Sequence, residues 1–365
     1  NPAQAAPPAF AFLLYFKKLD TFSYKKKEPM GIPSHTAPPV APDKPWLAPL
    51  AGFSDLPFRM LCRSYGAAVA CTEMVSAKGL VYGGQGTWDL VRGIPGAPED
   101  SPLVVQIFGA EVSFVREAVR RLLDLGAVFF DLNAGCPVKK VVKTGAGAGL
   151  LRDVGLLAEI LEAMVDHAGE GRVGVKLRSG WSGTEFVSGP GPARLDRIGL
   201  GWITLHPRSA SQGLSGKADW SRLRMLRERT RVPLLASGDM YTAAEGLACL
   251  DQGSADGIMY ARGALSDPAV FRTHLRAWQG GPGMNEADQP ERLEAARRHV
   301  ALCRCYADNR KNLLKMRTIL PKYLKGFPGA SAVRGRLVRA CSWDEVEALL
   351  GELAPDAPGH PADGA

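Results

Sequence analysis

The sequence predicts an α/β fold: a (β/α)8 TIM barrel followed by a C-terminal all-helical domain. Three observations lead to this prediction. Short apolar runs typical of buried strands occur eight times between Trp46 and Tyr260, and segments with helical spacing of apolar residues lie between them. The repeat covers about 230 residues, the usual size of such a barrel. A doubly wound parallel sheet would show the same alternation of strands and helices, and it is the alternative fold.

The predicted strands are short, rich in aliphatic and aromatic residues, and bounded by Gly, Pro or polar residues. Residues 112–125 and 154–167 are predicted helices because their apolar side chains recur at helical spacing. Residues 184–201 are rich in Pro and Gly, so we expect only a short helix there, around 193–198. The predicted strands are 46–50, 68–72, 103–108, 129–133, 173–178, 202–206, 233–237 and 257–260.

Composition divides the chain into four parts. Residues 1–44 are rich in Pro and Ala and carry the lysine cluster 25–27, so we expect a disordered tail. Residues 45–280 form the predicted barrel. Residues 284–353 are basic and without strand-like runs, and they form the predicted helical domain. Residues 354–365 are rich in Pro and Gly and form a second expected tail.

The overall composition excludes a fully disordered chain and favours a polyanionic partner. Hydrophobic residues make up 46% of the 365 residues, and the formal net charge is +8. The seven cysteines contain no CxxC pair, so neither a disulfide framework nor a metal site is predicted. No apolar run reaches the roughly 18 residues that a membrane span needs. We expect a soluble, cytoplasmic protein that binds neither a metal nor a membrane.

The residues that follow the predicted strands indicate where a site would lie. In a barrel of parallel strands, functional side chains stand at the carboxyl ends of the strands. In this sequence those positions are unusually polar. They hold Pro49, Leu50, Ala51, Glu73, Gln106, Asn133, Cys136, Lys176, Arg178, His206, Arg208, Ser237, Gly238, Asp239, Ala261 and Arg262.

Two glycine-containing loops, 237–240 and 260–263, end the seventh and eighth predicted strands. Loops at these strands bind phosphate through backbone N–H groups in many barrels, and Arg262 would add a charge. Either loop alone is equally well explained by a tight turn, but their joint position favours a phosphorylated cofactor. Lys176 and His206 stand where a cation would stabilise the anionic reduced ring of a flavin, and Gln106 could bond its pyrimidine edge. Each of these three alone is more often an ordinary polar residue of a barrel rim.

Cys136 lies in a loop just after a hydrophobic strand, in the segment Asn-Ala-Gly-Cys-Pro at 133–137. A cysteine at this position can act as a nucleophile, a redox thiol or a proton donor. Cys62, Cys71 and Cys249 instead occur within apolar helix or strand patterns, where a cysteine is usually a small buried hydrophobe. Cys136 is therefore the candidate reactive residue.

The segments that carry these residues resemble the tRNA-dihydrouridine synthases, most closely the bacterial ones. APLAGFSDLPFR at 48–59 is similar to the family's opening motif, and DLNAGCPVKKVVKTGAGAGLL at 131–151 is similar to the signature that contains its catalytic cysteine. Further similar segments follow in the family's order, and together they span about four-fifths of the chain. They are TEMVSAKGL (72–80), VKLRSGW (175–181), LHPRSASQGLSGKADW (205–220), MYARGALSDPAVF (259–271) and MRTILPKYLKGFPGA (316–330).

The resemblance implies FMN as cofactor, NADPH as reductant and tRNA as substrate, with Cys136 as the catalytic acid. A hydride would pass from flavin N5 to uracil C6, and Cys136 would protonate C5. The sequence departs from the family pattern at Leu50 (commonly methionine), Ser237 (usually asparagine) and Ala261 (usually glycine). By the resemblance, FMN contacts Pro49, Leu50, Ala51, Gln106, Lys176, His206, Ser237, Gly238, Asp239, Ala261 and Arg262.

The RNA is expected to be held by basic residues while the target base is extruded into the site. Twelve Lys and Arg residues lie between Arg297 and Arg339, although a solvated helix face would also explain this charge. The expected substrate contacts are Asn133, Arg178 and Arg208 at the barrel mouth and Lys322, Lys325 and Arg334 in the helical domain.

Two other functions agree with parts of the sequence. A reductase of free pyrimidines, similar to dihydroorotate dehydrogenase, would also use FMN, a lysine and a cysteine or serine, but it does not explain the basic helical domain. A non-catalytic RNA-binding protein on a degenerate barrel would not need Cys136, Lys176 or the phosphate loops, and the sequence retains all of them.

Overall fold

The computed structural model describes residues 37–91, 94, 98–252, 254–281, 289–327 and 329–353, and these belong to one compact unit. Residues 1–36 of the expected N-terminal tail and the whole of the expected C-terminal tail, 354–365, lie outside the described residues. Residues 37–44 lie against the barrel. The Nε1 of Trp46 donates to the carbonyl of Pro39 at 2.8 Å, and the Nε2 of His274 lies 2.7 Å from the carbonyl oxygen of Pro42.

The core of the protein is a closed barrel of eight parallel strands, as the sequence predicted. The strand order is β2-β1-β9-β8-β7-β6-β5-β4, and a pairing of β4 with β2 closes the sheet, which excludes the doubly wound alternative. The short strand β3 adds to the edge of β4, where Val75 pairs with Ile107. The strands are β1 (Trp46–Leu47), β2 (Val69–Cys71), β3 (Val75–Ser76), β4 (Leu103–Phe108), β5 (Phe129–Ala134), β6 (Val173–Arg178), β7 (Trp202–His206), β8 (Leu234–Ala236) and β9 (Gly257–Tyr260).

Helices that connect the strands cover the outside of the barrel. The helix at 112–124 shows why: its buried residues Val115, Ala118, Val119 and Leu122 recur at helical spacing and face the sheet. The helices up to residue 278 are α1 (Leu56–Ser64), α2 (Ala77–Val81), α3 (Gln85–Val91), α4 (Val112–Asp124), α5 (Lys139–Val142), α6 (Val154–Ala168), α7 (Glu185–Ser188), α8 (Gly191–Leu195), α9 (Ser221–Arg227), α10 (Ala243–Asp251), α11 (Arg262–Ser266) and α12 (Val270–Trp278). Two 3-10 turns lie at Pro98–Asp100 and Gly147–Arg152.

The connection between β6 and β7 differs from the expectation of one short helix at 193–198. It contains two short helices, α7 and α8, and α8 already ends at Leu195. Pro192 explains the earlier start of α8, because its fixed φ and missing N–H suit the first turn of a helix.

The interior of the barrel has an apolar lower layer. Trp46, Val69, Val104, Trp202 and Leu235 pack in one buried cluster with neighbouring strand residues, and the two tryptophan rings lie 5.3 Å apart. Gly174 makes room for this cluster, because a Cβ at that position would lie 2.0 Å from the Cε2 of Trp202. The layer fills the barrel below the carboxyl ends of the strands, so a site can only open above it.

Four helices follow the barrel, and the first two of them contact α1 or its N-cap residue. His299 of α13 and Tyr323 of α14 are buried there, with the His299 ring 5.5 Å from Phe58 of α1. Lys315 of α14 forms an ion pair with Asp55, the N-cap residue of α1. Among the described helices, none combines the length and apolar composition needed to cross a bilayer. The four are α13 (Gln289–Tyr306), α14 (Arg310–Tyr323), α15 (Ala330–Leu337) and α16 (Trp343–Gly351).

Candidate active site

The barrel mouth brings together polar side chains that the sequence placed at strand ends. Gln106 and Asn133 stand on the neighbouring strands β4 and β5, and Asn133 pairs in register with Lys176 on β6. On the next pair of strands, Arg178 of β6 stands opposite His206 of β7. These residues lie above the apolar cluster, towards the carboxyl ends of the strands, on the strand face that residues two positions apart share.

A chain of hydrogen bonds runs from the barrel interior to the loop that holds Cys136. It begins at Asp131, whose Oδ1 accepts from Trp202 Nε1 at 3.0 Å and whose Oδ2 accepts from Gln106 Nε2 at 2.7 Å. The Oε1 of Gln106 accepts from Asn133 Nδ2 at 2.9 Å. The Oδ1 of Asn133 in turn accepts from the backbone N–H of Cys136 at 2.9 Å. Asp131 is not among the residues predicted from the sequence to form the site, although a carboxylate in the middle of an apolar strand is a signal for it.

Cys136 is half-buried, in a loop fixed on both sides. Its carbonyl accepts from the backbone N–H of Ala148 at 3.0 Å, and Gly147 passes so close that a Cβ there would lie 2.7 Å from that carbonyl oxygen. By contrast, Cys62 and Cys71 are fully buried, and burial raises the pKa of each thiol well above its ordinary value. Cys136 is therefore the cysteine that both reaches the mouth and has a defined position.

Lys176 is the unpaired cation of the mouth. Among the residues that the structure describes, no group forms a hydrogen bond or ion pair with its ammonium. Burial lowers its pKa to about 8, helped by the charge of Arg178 and opposed by the carboxylate of Asp131. An ammonium without a partner in a half-buried position is suited to an anionic ligand.

His206 is held as a neutral imidazole. Burial lowers its pKa to about 2, and the charges of Lys176, Arg178, Arg208 and Arg262 add to this effect. Its Nε2 lies 3.2 Å from Nη1 of Arg208, which can only donate, so Nε2 accepts and the proton is on Nδ1. His206 can therefore offer an N–H to a ligand but not a positive charge.

The arginines predicted to contact the substrate are buried, and their donors bond to the protein. Arg178, 4% exposed, donates from Nε to Gly135 at 2.9 Å and from Nη1 to Ser209 at 2.8 Å, in each case to a backbone carbonyl. Arg208, 2% exposed, forms a bidentate pair with Asp239, with bonds of 2.8 and 2.6 Å. Both arginines hold loops of the mouth in place, and a contact with the substrate stays a prediction.

The loop after β8 has a special backbone conformation. Asp239 has a φ of 54°, and Gly238 has a φ of 114°. A Cβ on Gly238 would lie 2.7 Å from the Cδ2 of His206, so only glycine lets this loop pass beside the imidazole. Within the described part of the chain, the backbone N–H groups of Gly238 and Asp239 donate to no protein acceptor. These two free donors suit an anion.

The carboxylate of Asp239 is fully occupied by the protein. Besides Arg208, it accepts from Arg262 Nη2 at 2.9 Å and from the backbone N–H of Ala218 at 2.7 Å. Arg262 also lies over the ring of Tyr241, at 4.9 Å from its centroid. Any contact of Asp239 with a cofactor would therefore come from its backbone.

The remaining predicted cofactor positions line the same mouth. Leu50 lies in a tight turn after β1, in which its N–H donates to Ser54 Oγ at 2.9 Å and its carbonyl accepts from Phe53 N at 2.9 Å. Ser237 is 2% exposed, and its N–H donates to the carbonyl of Leu205 at 3.0 Å. Pro49 is half-buried and Ala51 is exposed in the first loop, while Ala261 is the N-cap residue of α11.

The predicted RNA-binding lysines lie on the helical region, near the first loop of the barrel. Lys322 and Lys325 are exposed, and within the described residues neither has an ion pair. The Lys322 ammonium lies 5.2 Å from the centroid of Phe53, which places the end of α14 beside the mouth. Arg334 is half-buried, and its Nε is buried without a partner in the described structure, so it is a poorer candidate for a phosphate contact.

A second basic surface, which the sequence analysis did not assign, lies next to Cys136. Lys139, Lys140 and Lys143 on and just after α5 are exposed, and no described carboxylate pairs with them. Arg152 adds a further exposed charge, with its guanidinium 3.4 Å from the centroid of Trp181. The chain has no acidic residue from 132 to 152, a run of the sequence from which this surface could have been predicted.

Among the described residues no group of side chains could hold a metal ion.

The family model and two relatives that match this chain are all dihydrouridine synthases. The family model described as dihydrouridine synthase matches residues 46–356. A probable tRNA-dihydrouridine synthase 1 from a Synechocystis species is 33% identical over 315 residues, which are 85% of this chain and 86% of the relative. The tRNA-dihydrouridine synthase B of Pseudomonas aeruginosa is 31% identical over 303 residues, covering 83% of this chain and 90% of its own.

Among solved structures, a variant of the Zymomonas mobilis protein NCR aligns with a TM-score of 0.45 and 18% identity, covering 66% of this chain and 87% of that one. A likeness at that level supports no conclusion about function.

Proposed function

Since the chain belongs to the dihydrouridine synthase family, a family of oxidoreductases, we propose that it reduces uridines of tRNA to 5,6-dihydrouridine with FMN as cofactor and NADPH as reductant. One observation carries the proposal: the barrel mouth combines an unpaired, half-buried lysine with a half-buried cysteine whose backbone is anchored by an asparagine. The names of the relatives support tRNA as the substrate. A tRNA-modifying role agrees with a location in the cytoplasm.

The residues of the mouth fit a flavin mononucleotide. The free backbone N–H groups of Gly238 and Asp239 would bind its phosphate, with Arg262 as a neighbouring charge. Lys176 would lie against the ring and compensate the negative charge that it gains on reduction. Gln106 and the Nδ1–H of His206 would bond its polar edge, and residues 49–51 would cover it. FMN, when bound, supplies the hydride that reduces C6 of the uracil.

Cys136 would donate the proton that completes the reduction at C5. A general acid must be held within hydrogen-bond reach of the atom it protonates, and the bonds of the Cys136 loop to Asn133 and Ala148 provide such a fixed position. Arg178 adds to this, because its bond to Gly135 ties the loop to the next one around the barrel. The thiol does not take part in the reduction of the cofactor, so the two half-reactions depend on different residues.

The RNA would be held outside the mouth by exposed basic side chains of the protein. The lysines of the helical region, Lys322 and Lys325, lie on one side, and those of the α5 surface, Lys139, Lys140 and Lys143, lie beside Cys136. Each phosphate contact releases counterions, so the affinity for tRNA should fall steeply as salt is raised. A reductase of free pyrimidines would gain nothing from these surfaces.

The test is a reconstitution with purified protein. We expect FMN, and not FAD, to be released on denaturation, NADPH to reduce it, and the enzyme to form dihydrouridine in tRNA that lacks this modification. Free uridine and free orotate serve as controls and should not be reduced. Recovery of another flavin, or reduction of the free pyrimidines with tRNA left unchanged, would contradict the proposal.

A further inference from the structure

Asp131 is a fully buried carboxylate inside the barrel, and nothing in the proposed reaction uses it directly. Both of its oxygens accept a hydrogen bond, one from the indole of Trp202 and one from the amide of Gln106. Gly174 makes this possible, because a side chain there would occupy the space that the Trp202 ring crosses to reach the carboxylate. Burying an ionised carboxylate costs free energy even when its oxygens accept hydrogen bonds, so a role beyond packing is expected for Asp131.

The direction of the hydrogen-bond chain follows from its end at the loop. The backbone N–H of Cys136 can only donate, so Asn133 must turn its oxygen towards the loop and its NH2 towards Gln106. Gln106 must then present its oxygen to Asn133 and its NH2 to residue 131. That last NH2, together with the N–H of Trp202, requires a group that accepts on both sides. An ionised carboxylate is such a group, and an amide is not.

The carboxylate is in the required state at neutral pH. Burial raises the pKa of Asp131 to about 6, while the bonds from Gln106 and Trp202 and the charge of Lys176 act in the opposite direction. Protonation would turn one oxygen into a donor that faces another donor.

We propose that Asp131 is a positioning residue that fixes the amide orientations of Gln106 and Asn133 and thereby the position of the Cys136 loop. Its effect on the cofactor edge, through Gln106, rests on the proposed function; its effect on the loop does not. Asp131 touches neither the thiol nor a substrate, and it acts through the two amides between them.

The variant Asp131→Asn tests the direction of the chain with almost no change in shape. If the new amide gives its oxygen to Trp202, its NH2 faces Gln106. Gln106 can turn so that its oxygen accepts from this NH2, but the NH2 of Gln106 then faces the NH2 of Asn133. If Asn133 turns as well, the NH2 of Asn133 faces the backbone N–H of Cys136. One donor must meet another donor somewhere, and the cost of such an unpaired buried group loosens the loop.

The readout is the rate at which iodoacetamide alkylates each cysteine in the protein as purified, followed by mass spectrometry of the peptides. Cys305 and Cys341 are exposed and lie on the helical region, so they are internal controls. In Asp131→Asn we expect alkylation of Cys136 to become about tenfold faster, with both controls unchanged. An unchanged Cys136 rate overturns the proposal, and so does a parallel rise at all three cysteines, which would assign Asp131 to the stability of the whole fold.

A second substitution should restore the chain. In Asp131→Asn combined with Gln106→Glu, the carboxylate at 106 accepts from both neighbouring amides, so every donor again has an acceptor. We expect the double variant to alkylate at Cys136 within about twofold of the native rate, whereas Gln106→Glu alone, with two facing carboxylates, should be faster than native. A double variant no closer to native than its two parents contradicts the proposal. None of these measurements needs flavin, NADPH or tRNA, so a failure of the proposed function would leave their outcome unaffected.

Discussion

Basic residues serve different purposes in the barrel mouth and in the helical region. In the mouth, Arg178 and Arg208 are 4% and 2% exposed, and their guanidinium groups bond to carbonyls and to a carboxylate of the protein. In the helical region, Lys322 and Lys325 are exposed and have no ion pair among the described residues. Positively charged side chains thus hold loops in place in the mouth, whereas in the helical region they stay exposed and unpaired.

Desolvation explains the difference. A guanidinium taken out of water is tolerated only when its donors are paired, and its planar fork matches several carbonyls or one carboxylate at once. An ammonium that stays in water is cheap to keep and binds phosphate in a salt-dependent way. Changes at the buried arginines of the mouth should therefore alter chemistry or stability, and changes at the exposed Lys322 and Lys325 should alter only RNA affinity.

The largest effect is expected at Cys136. Cys136→Ala should keep FMN and its reduction by NADPH, yet form dihydrouridine about 10²- to 10⁴-fold more slowly, because in the proposed reaction only the protonation of C5 needs the thiol. The measurement is single-turnover oxidation of pre-reduced enzyme by tRNA, with Cys305→Ala, at an exposed cysteine of the helical region, as the matched control. Reoxidation of the Cys136→Ala enzyme at the native rate with full product would make this cysteine structural.

The next effect is on stability. Arg208→Met removes the bidentate partner of Asp239 and should lower the free energy of unfolding by about 3 kcal/mol, measured by urea titration. Arg304→Met, at an exposed arginine that pairs with Asp344 and Glu347, should cost less than about 1 kcal/mol. Equal losses of unfolding free energy for the two variants would show that the buried arginine of the mouth and the exposed arginine of the helical region contribute equally to stability.

Lys176 should govern the affinity for FMN. Lys176→Ala should weaken FMN binding to the apoprotein by about 10- to 100-fold at pH 7, measured by fluorescence titration, because the ring loses its cation. The pKa of this lysine is lowered to about 8, so the free protein loses the charge as pH rises through 8, and binding should weaken by up to about tenfold between pH 7 and 9. This pH dependence should be absent in the Ala variant; if it persists there, another group is responsible.

The same lysine should affect stability with the opposite sign of pH dependence from its effect on binding. Its pKa is lower in the folded protein than in the unfolded chain, so its charged form opposes folding. That cost is present in full below about pH 8 and disappears as pH rises towards the unfolded value.

The smallest effect is expected on the helical region. Replacing Lys322 and Lys325 by Gln should weaken tRNA binding several-fold and reduce the slope of log K against log salt by roughly 1 to 2, while NADPH oxidation stays unchanged. Arg116 and Arg224, exposed on the outer barrel helices, provide the matched control pair. If the control pair has an equal effect, binding depends on net charge and not on this surface.

The sequence was sufficient where a local pattern determines the outcome. Eight apolar runs were enough for the barrel, because a strand buried on both faces needs a continuous apolar segment. The positions at the mouth followed from strand ends alone. The hydrogen-bond partners of each side chain did not follow from the sequence. Arg178 and Arg208 were predicted to contact substrate, because the sequence gives the residue type but not the backbone carbonyls that accept from each guanidinium group.

Features that were not predicted from the sequence have similar causes. The two-residue strand β3 is too short to show a period, and the exact start of α8 depended on Pro192 within a segment full of helix breakers. Asp131 was not predicted as a site residue, because the sequence does not show which groups pair with a carboxylate inside an apolar strand. In the structure its two hydrogen-bond donors are Gln106 and Trp202. The contacts of Pro39 and Pro42 with the barrel lie in residues whose composition resembles a tail.

The carboxylate of Asp55 belongs to two parts of the molecule at once. It caps the first helix of the barrel by accepting from Phe58 N at 3.3 Å, and it also pairs with Lys315 of α14, while the Phe58 ring lies against His299 of α13. The helical region is therefore not an interchangeable cassette. A chimera that joins this barrel to the helical region of a relative must bring residues matched to positions 55 and 58, or transfer α1 along with the helices, to keep the junction intact.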